Sequence, residues 1–456
     1  MLRIRFILLC ASAFSWCASA LEARRPNVLF LLTDDQRPDA IGVLNPAVKT
    51  PALDTLASQG TVFTRAHIMG GMQGAICVPS RAAILTGRTL FRCPEQPANV
   101  PTWPQTFAKD AGYRTHQVGK WHNGPAALAH SFQSSRDSFM GGMSDQKKIL
   151  LTEIADGKVN PAKRTVERWS AEIFADAAVD FLVKQSERTE KREQPWFLWV
   201  AFTTPHDPRT SPEPYASMYD PAKVDLPKNF MPTPPTETGV LGIRDEKLTP
   251  HPRTEAAVRK EIADYYGSIS FTDAQIGRIL EALDKTGQRE NTIIILAGDN
   301  GLALGSHGLL GKQNVYEHSA GVPLIMAGPQ IGKGKRSDAL VYLLDLFPTL
   351  GAFCGVKMPE GVEGKSFDRV FRATPEPGPR KDLFFAYTKL HRGVRDERWK
   401  LIEWTVPGRA KVTQLFDLQA DPAEMRDVSG ENADVLGRMR ARLAEYQKEL
   451  GDPLGK

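Results

Sequence analysis

The sequence predicts an α/β protein with a large, mostly parallel sheet sandwiched by helices, followed by a smaller antiparallel sheet with one helix. Three observations predict it. The strongest strand candidates are short, continuous apolar runs, the pattern of parallel strands buried on both faces. Helical stretches alternate with these runs over more than 300 residues. Past the prolines of Ala373–Pro379 the pattern changes to short strand-like runs closed by a single helix.

The chain opens with a segment that reads as a secretory signal peptide over residues 1–20. Arg3 and Arg5 form its basic start, Phe6 to Trp16 its apolar middle, and Ala18-Ser19-Ala20 a small-residue cleavage site. Neither this run nor a later one is long enough to span a bilayer, so export to the periplasm or the extracellular space, without stable membrane insertion, is expected. Within residues 21–375 the strands are expected at Asn27–Leu32, Tyr113–Val118, Trp196–Phe202, Thr292–Ala297 and Pro323–Ala327. Helices are expected at Arg81–Leu85, Thr165–Lys184, Glu255–Lys285 and Ala339–Phe353. His206 to Pro252 is proline-rich and aperiodic, which in a compact domain marks a functional loop. Residues 380–456 read as a small α+β subdomain. Its strands are Leu383–Tyr387, Gly393–Arg395, Lys400–Trp404 and Gln414–Asp417, and its helix is Ala433–Leu450.

Composition narrows the function classes. The formal net charge of +5 is small for 456 residues, and no Lys/Arg block or zinc-finger spacing supports nucleic-acid binding. Once Cys10 and Cys17 leave with the leader, Cys77, Cys93 and Cys354 remain, so at least one thiol is unpaired or altered. A Cys93–Cys354 bridge is open if Cys77 has another fate. No Asn-x-Ser/Thr acceptor is present, so N-glycosylation is not expected.

The densest chemistry lies in Cys77-Val78-Pro79-Ser80-Arg81-Ala82-Ala83-Ile84-Leu85-Thr86-Gly87-Arg88. Pro79 suits the first turn of a helix and Gly87 its end. Cys77 is thereby placed at a helix N-terminus, in a field that favours anions, with Arg81 one turn along the same face. By itself such a cysteine is a reactive nucleophile, a modification site or an inert core residue. Two acidic turns follow strands: Asp34-Asp35 after the first, and Asp299-Asn300-Gly301 after the fourth. In open α/β sheets sites form outside the carboxyl ends of strands. These residues are either hard oxygen ligands for Ca²⁺ or Mg²⁺, or ordinary solvated turns. Lys120 and His122, His206, and Lys312 also follow strands. Gly311-Lys312 is not a phosphate-binding loop, because Gln313 stands where Ser or Thr is needed. His307 and His318 read as ordinary loop histidines.

The cysteine segment resembles the modification motif of the formylglycine-dependent sulfatase family, Cys-x-Pro-Ser-Arg followed by Leu-Thr-Gly-Arg. All eight fixed positions match: Cys77, Pro79, Ser80, Arg81, Leu85, Thr86, Gly87 and Arg88. Gly119-Lys120-Trp121-His122, Thr204-Pro205-His206 and Gly308 to Lys312 are similar to further elements of that family, in the same order. Val78 departs from the residue many members carry, at the motif's variable position.

The resemblance implies an alkaline phosphatase-like fold and a secreted sulfuric ester hydrolase. It implies that Cys77 is converted to formylglycine by a maturation enzyme, and that one calcium ion is held by Asp34, Asp35, Asp299, Asn300 and the modified Cys77. It further implies that Lys120, His206 and Lys312 contact the sulfate ester. The formylglycine hydrate attacks sulfur with Asp299 as base, His206 and Lys312 protonate the leaving oxygen, His122 expels sulfate, and Arg81 holds the modified residue. A sulfated small molecule or saccharide is the expected substrate, with Arg209, Arg244 and His391 as candidate sugar contacts. An arylsulfatase, a phosphoryl or phosphonate ester hydrolase, and a non-catalytic glycan-binding relative are the alternatives.

Overall fold

The apolar run Asn27–Thr33 forms the central strand of the large sheet, and its side chains alternate between two cores. Val28, Phe30 and Leu32 pack with Trp103, Phe107 and Phe347, whereas Leu29 and Leu31 pack with Phe174, Ile276 and Leu283. Burial on both faces is why the run has no polar interruption. The computed structural model describes residues 24–155, 157–160, 162–188, 194–372 and 376–455. The expected signal peptide, and Ala373 to Pro375 of the expected linker, lie outside the described residues.

In chain order the strands are β1 (Asn27–Thr33), β2 (Gly60–His67), β3 (Arg114–Lys120), β4 (Ser134–Phe139), β5 (Trp196–Ala201), β6 (Thr292–Gly298), β7 (Gly321–Ala327) and β8 (Lys335–Ser337). In space they run β8-β2-β7-β6-β1-β5-β3-β4, with Val341–Tyr342 also paired to β2. β6, β1, β5, β3 and β4 are mutually parallel, while β7 runs antiparallel to both neighbours. Helices α1 (Pro51–Ser58), α4 (Ser170–Ser186) and α5 (Glu255–Lys285) cover one face. Helices α2 (Cys77–Thr86), α3 (Trp103–Ala111) and α6 (Leu346–Cys354) cover the other. Among the described residues no helix is long and apolar enough to cross a membrane.

Two expected helices are shorter than their patterns suggested. Arg164–Val166 is a strand paired with Ile149–Leu151, so the helix expected over Thr165–Lys184 begins only at Ser170. In the segment Ala339–Phe353, Val341–Tyr342 joins the sheet and a 3₁₀ turn at Leu343–Asp345 precedes α6. β2 and β4 escaped the apolar-run criterion because Thr64 and Arg65 interrupt one, and Arg136 and Asp137 interrupt the other, which lies at the sheet edge.

Beyond the large sheet, β9 (Leu383–Tyr387), β10 (His391–Arg395), β11 (Trp399–Trp404) and β12 (Val412–Asp417) form an antiparallel sheet. Helix α7 (Ala433–Leu450) packs on it through Met439, Leu443 and Leu450. Gly70–Gly71 adds to this sheet beside β9. A Cβ on Gly70 would lie 2.0 Å from the carbonyl oxygen of Ala386, and its φ of +101° also demands glycine. The segment just ahead of Cys77 is therefore stitched into the small sheet. Cys77, Cys93 and Cys354 are all free thiols, so the possible Cys93–Cys354 bridge is not formed.

The register aligns the carboxyl ends of the parallel strands. Thr33 pairs with Gly298, Leu32 with Ala201, and Ala201 with Gly119. Whatever follows these strands in sequence is thereby gathered at one end of the sheet.

Candidate active site

Cys77 is the first residue of α2 and is buried. The helix ends at Gly87, whose left-handed φ of 63° closes it. Three contacts fix its beginning. Asn123 Nδ2 donates to the carbonyl of Val78 at 3.0 Å, Ser80 Oγ donates to the carbonyl of Asp299 at 2.5 Å, and Arg81 Nε donates to Asp299 Oδ2 at 2.8 Å. Arg81 Nη1 also donates to the carbonyl of Lys120 at 2.9 Å, leaving Nη2 buried without a partner. Ser80 and Arg81 thus tie the cysteine helix to the ends of β6 and β3.

The acidic residues converge from β1 and β6. Asp35, in the left-handed region at φ 65°, donates its backbone N–H to Asp299 Oδ1 at 3.1 Å and accepts Asn300 Nδ2 at 2.8 Å on Oδ1. Asp34, Cys77 and Asp299 each present one atom within 4.8 Å of the others, as do Asp35, His206 and Asp207. Asp34 Oδ1 and Asn300 Oδ1 are buried and lack any hydrogen-bond partner. Buried oxygens left unpaired are costly. A hard divalent cation among these oxygens would satisfy them, so the donor set of Asp34, Asp35, Asp299 and Asn300 fits such an ion.

Cationic side chains close around this group. Lys120 Nζ pairs with Asp34, and Lys312 Nζ donates to Asp35 Oδ1 at 2.6 Å, all four side chains being buried. His206 Nε2 lies 3.7 Å from Asp35 Oδ2, and its Nδ1 is 2.8 Å from the carbonyl of Asp207. His122, with φ 67°, places Nδ1 3.2 Å from Cys77 Sγ.

The electrostatics follow from burial and crowding. Burial, reinforced by the charge of Asp34, pushes Asp299 up to about 6. For Asp35 burial acts upward too, but Lys312 and then His206 outweigh it and hold the carboxyl well below its usual range. Burial and the nearby Lys120 and Arg81 take His122 down to about 3, and burial with Lys312 takes His206 down to about 4. Burial raises the Cys77 thiol. The site holds a cysteine at a helix N-terminus, paired lysines, two imidazoles that are neutral at pH 7, and an unpartnered guanidinium nitrogen. It can hold a tetrahedral oxyanion and move protons on either side of it.

The structure brings together ten of the residues singled out by sequence: Asp34, Asp35, Cys77, Arg81, Lys120, His122, His206, Asp299, Asn300 and Lys312. Arg209 and His391 are each engaged by buried protein partners. The Arg209 side chain is 4% exposed and ion-paired with Glu261, and His391 is fully buried with Nε2 bonded to the carbonyl of Thr238. Arg244 does lie nearby, paired with Asp207, the neighbour of His206. His307 stacks on Tyr316 at 3.9 Å and approaches His318 and the carbonyl of Glu424, so both histidines are held in buried packing. Sequence reasoning missed Asn123 and Gln313, whose adjacency to His122 and Lys312 was the available signal. It also missed Glu246, which no pattern in its loop marks.

Comparison with known proteins bears on this geometry. Residues 26–356 match the family model described as Sulfatase, and residues 305–449 match N-sulphoglucosamine sulphohydrolase, C-terminal. An ulvan-active sulfatase of Formosa agariphila is 28% identical, over 94% of this chain and 83% of its own length. An N-acetylglucosamine-6-O-sulfatase of Bacteroides thetaiotaomicron is 27% identical, over 97% of this chain and 88% of its own. A protein solved with its substrate D-glucosamine-2-N,6-O-disulfate superposes with a TM-score of 0.76 at 22% identity, covering 94% of this chain and 99% of that one. At that identity the likeness is one of fold.

Proposed function

The chain belongs to the sulfatase family, in the alkaline phosphatase-like superfamily, and is a sulfuric ester hydrolase; from that premise we propose that it removes sulfate from a sulfated carbohydrate, using Cys77 as formylglycine and one calcium ion. The observation that carries the reading is the convergence of Cys77, His122, His206, Lys120 and Lys312 on one buried group of carboxylates with unpartnered oxygens. The carbohydrate substrate is supported by the sugar and polysaccharide sulfates named for the relatives.

The residues suit definite tasks. As formylglycine, Cys77 would supply through its hydrate the oxygen that attacks sulfur. Asp34, Asp35, Asp299 and Asn300 would hold the calcium ion, which would supply positive charge at the sulfate oxygens. Lys120 and Lys312 bring further positive charge to the same oxygens from buried positions. Asp299, whose carboxyl is raised by burial, takes a proton from the nucleophile, and Arg81 Nε keeps that carboxylate in place. His206 directs Nε2 toward the leaving oxygen because Nδ1 is committed to the carbonyl of Asp207. On the imidazolium, which an anionic ester beside it favours, Nε2 carries the proton that goes, with Lys312 alongside, to the departing alcohol. His122, beside Cys77, takes the proton that restores the resting enzyme.

In this reading residues 21–375 form the catalytic part and 380–456 a small subdomain beneath it. A maturation enzyme converts Cys77, and the leader over residues 1–20 directs export. The test is a panel of defined sulfated mono- and disaccharides, with 4-nitrophenyl sulfate and a phosphonate monoester alongside, given to enzyme matured at Cys77. A sugar sulfate should give the highest kcat/KM. An aryl sulfate or the phosphonate as best substrate contradicts the carbohydrate reading.

A further inference from the structure

The turn at residues 244–246 carries three consecutive charged side chains, and each reaches a different part of the site. Arg244 binds Asp207 through both terminal nitrogens, with Nη2 to Oδ1 at 2.9 Å. Asp207 in turn lies 3.3 Å from His206 Nδ1. Asp245 Oδ2 accepts Gln313 Nε2 at 2.7 Å, while Gln313 Oε1 accepts the backbone N–H of Lys312 at 3.0 Å. Glu246 Oε1 accepts the N–H of Gly311 at 2.8 Å, and Oε2 accepts that of Leu310 at 3.0 Å. Arg253 balances Glu246 at 2.5 Å and also reaches the carbonyl of Gly308 at 3.3 Å.

These contacts are not surface decoration. Glu246, Asp245, Arg253, Gln313 and Lys312 are all buried. A Cβ on Gly311 would lie 2.8 Å from Asp245 Cβ and 2.4 Å from Gln313 Oε1, so the lysine loop is pressed against the turn as closely as its backbone allows. Backbone N–H groups bound to a buried, charged acceptor are among the stronger local constraints. The loop carrying Lys312 has little regular structure of its own between β6 and β7. Its shape is therefore set largely from outside, by this turn.

We propose that Arg244, Asp245 and Glu246 are positioning residues that hold His206 and Lys312 in register on the leaving-group side of the site. This rests on the reading of His206 and Lys312 as the pair that protonates the departing oxygen. A single rigid turn touching both proton-bearing loops fixes their separation, and small misplacements of such groups cost large factors in rate. None of the three residues needs to touch substrate to act in this way.

The experiment uses full-length matured enzyme and two aryl sulfates that differ in leaving group, 4-nitrophenyl sulfate and phenyl sulfate. Glu246→Gln should lower kcat/KM for phenyl sulfate by about ten- to a hundredfold, while 4-nitrophenyl sulfate, whose leaving group needs no proton, changes by less than about threefold. The same substitution in a Lys312→Ala background should add almost nothing, because its effect passes through Lys312. Equal losses on both esters, or losses that multiply fully with Lys312→Ala, overturn the proposal. Because Glu246→Gln leaves Arg253 buried without its full charge partner, Arg244→Ala serves as the second variant. Its side chain is 45% exposed, and its effect should vanish in a His206→Ala background. Amide hydrogen exchange gives a reading independent of turnover. In Glu246→Gln, exchange should rise at Leu310 and Gly311 and stay unchanged in β1 and β6, and unchanged exchange at those two amides overturns the positioning role. If Lys312→Ala itself shows no leaving-group dependence, it is the protonation role that fails, and the exchange result alone decides the positioning role.

Discussion

His122 Nδ1 stands 3.2 Å from Cys77 Sγ, and the histidine reaches that position from a left-handed backbone conformation, φ 67°. Such a conformation costs a non-glycine residue roughly 1 kcal/mol or more, so the surrounding structure must hold it. Gly142 lets the facing loop close over the ring: a Cβ there would lie 2.3 Å from His122 Cε1. Burial, with Lys120 and Arg81 close by, keeps the imidazole neutral at pH 7. A neutral ring beside Cys77 can accept a proton, whereas His206 sits 3.7 Å from Asp35 Oδ2 with Nδ1 held by the carbonyl of Asp207.

The two histidines should therefore respond differently to the leaving group. His206→Ala should reduce kcat/KM for phenyl sulfate by about 10²–10⁴-fold and for 4-nitrophenyl sulfate far less. His122→Ala should reduce kcat for both esters by a similar factor, because the task proposed for it follows departure of the alcohol. Identical profiles for the two variants would remove the division of labour.

Cation binding should depend on pH in a defined direction. Asp299 is raised to about 6 from its ordinary 3.8, by burial first and by Asp34 next. In ion-free protein a proton on Asp299 is favourable, so stability contributed by that proton is present at low pH and is lost as pH rises through about 6. Calcium replaces the proton, so the calcium-induced rise in Tm should widen between about pH 5 and about pH 7. Calcium at a hundred times its Kd stabilises by about 3 kcal/mol. Scanning calorimetry with and without calcium checks this, and a calcium effect that shrinks over that interval contradicts the metal site.

His391 should behave as a core residue rather than a sugar contact. It is buried, bonded to the carbonyl of Thr238 at 2.6 Å, and packed edge-on to Trp404 at 4.3 Å. His391→Ala should lower stability by about 2–4 kcal/mol in urea unfolding and leave KM for a sugar sulfate within about twofold. A large KM change at unaltered stability would return His391 to the substrate.

How much of this was legible in the sequence depended on whether local pattern or tertiary packing decides. β1, β5 and β6 are buried on both faces, so their apolar runs identify them within a residue or two. Glu255–Lys285 and Ala433–Leu450 were legible to the residue, because long amphipathic helices carry a repeated signal. Asp34, Asp35, Asp299 and Asn300 sit directly after strands and Lys120 ends one, so sequence order and the carboxyl-end rule gather them, whereas Lys312 reaches the site from the long loop after β6. The buried partners of Arg209 and His391 were not legible, because polarity in a sequence does not say what a side chain is paired with. Glu246 was invisible for the converse reason: its partners are backbone N–H groups more than 60 residues away.

The central claim is that turnover runs through a modified Cys77. The most direct measurement prepares enzyme with graded maturation, quantifies aldehyde and thiol at the Cys77 peptide by mass spectrometry, and assays each sample on one sulfate ester. Specific activity should rise in proportion to the aldehyde fraction and extrapolate to zero for the thiol form, with Cys77→Ala folded and inactive. Full activity in a sample carrying only the Cys77 thiol would contradict it.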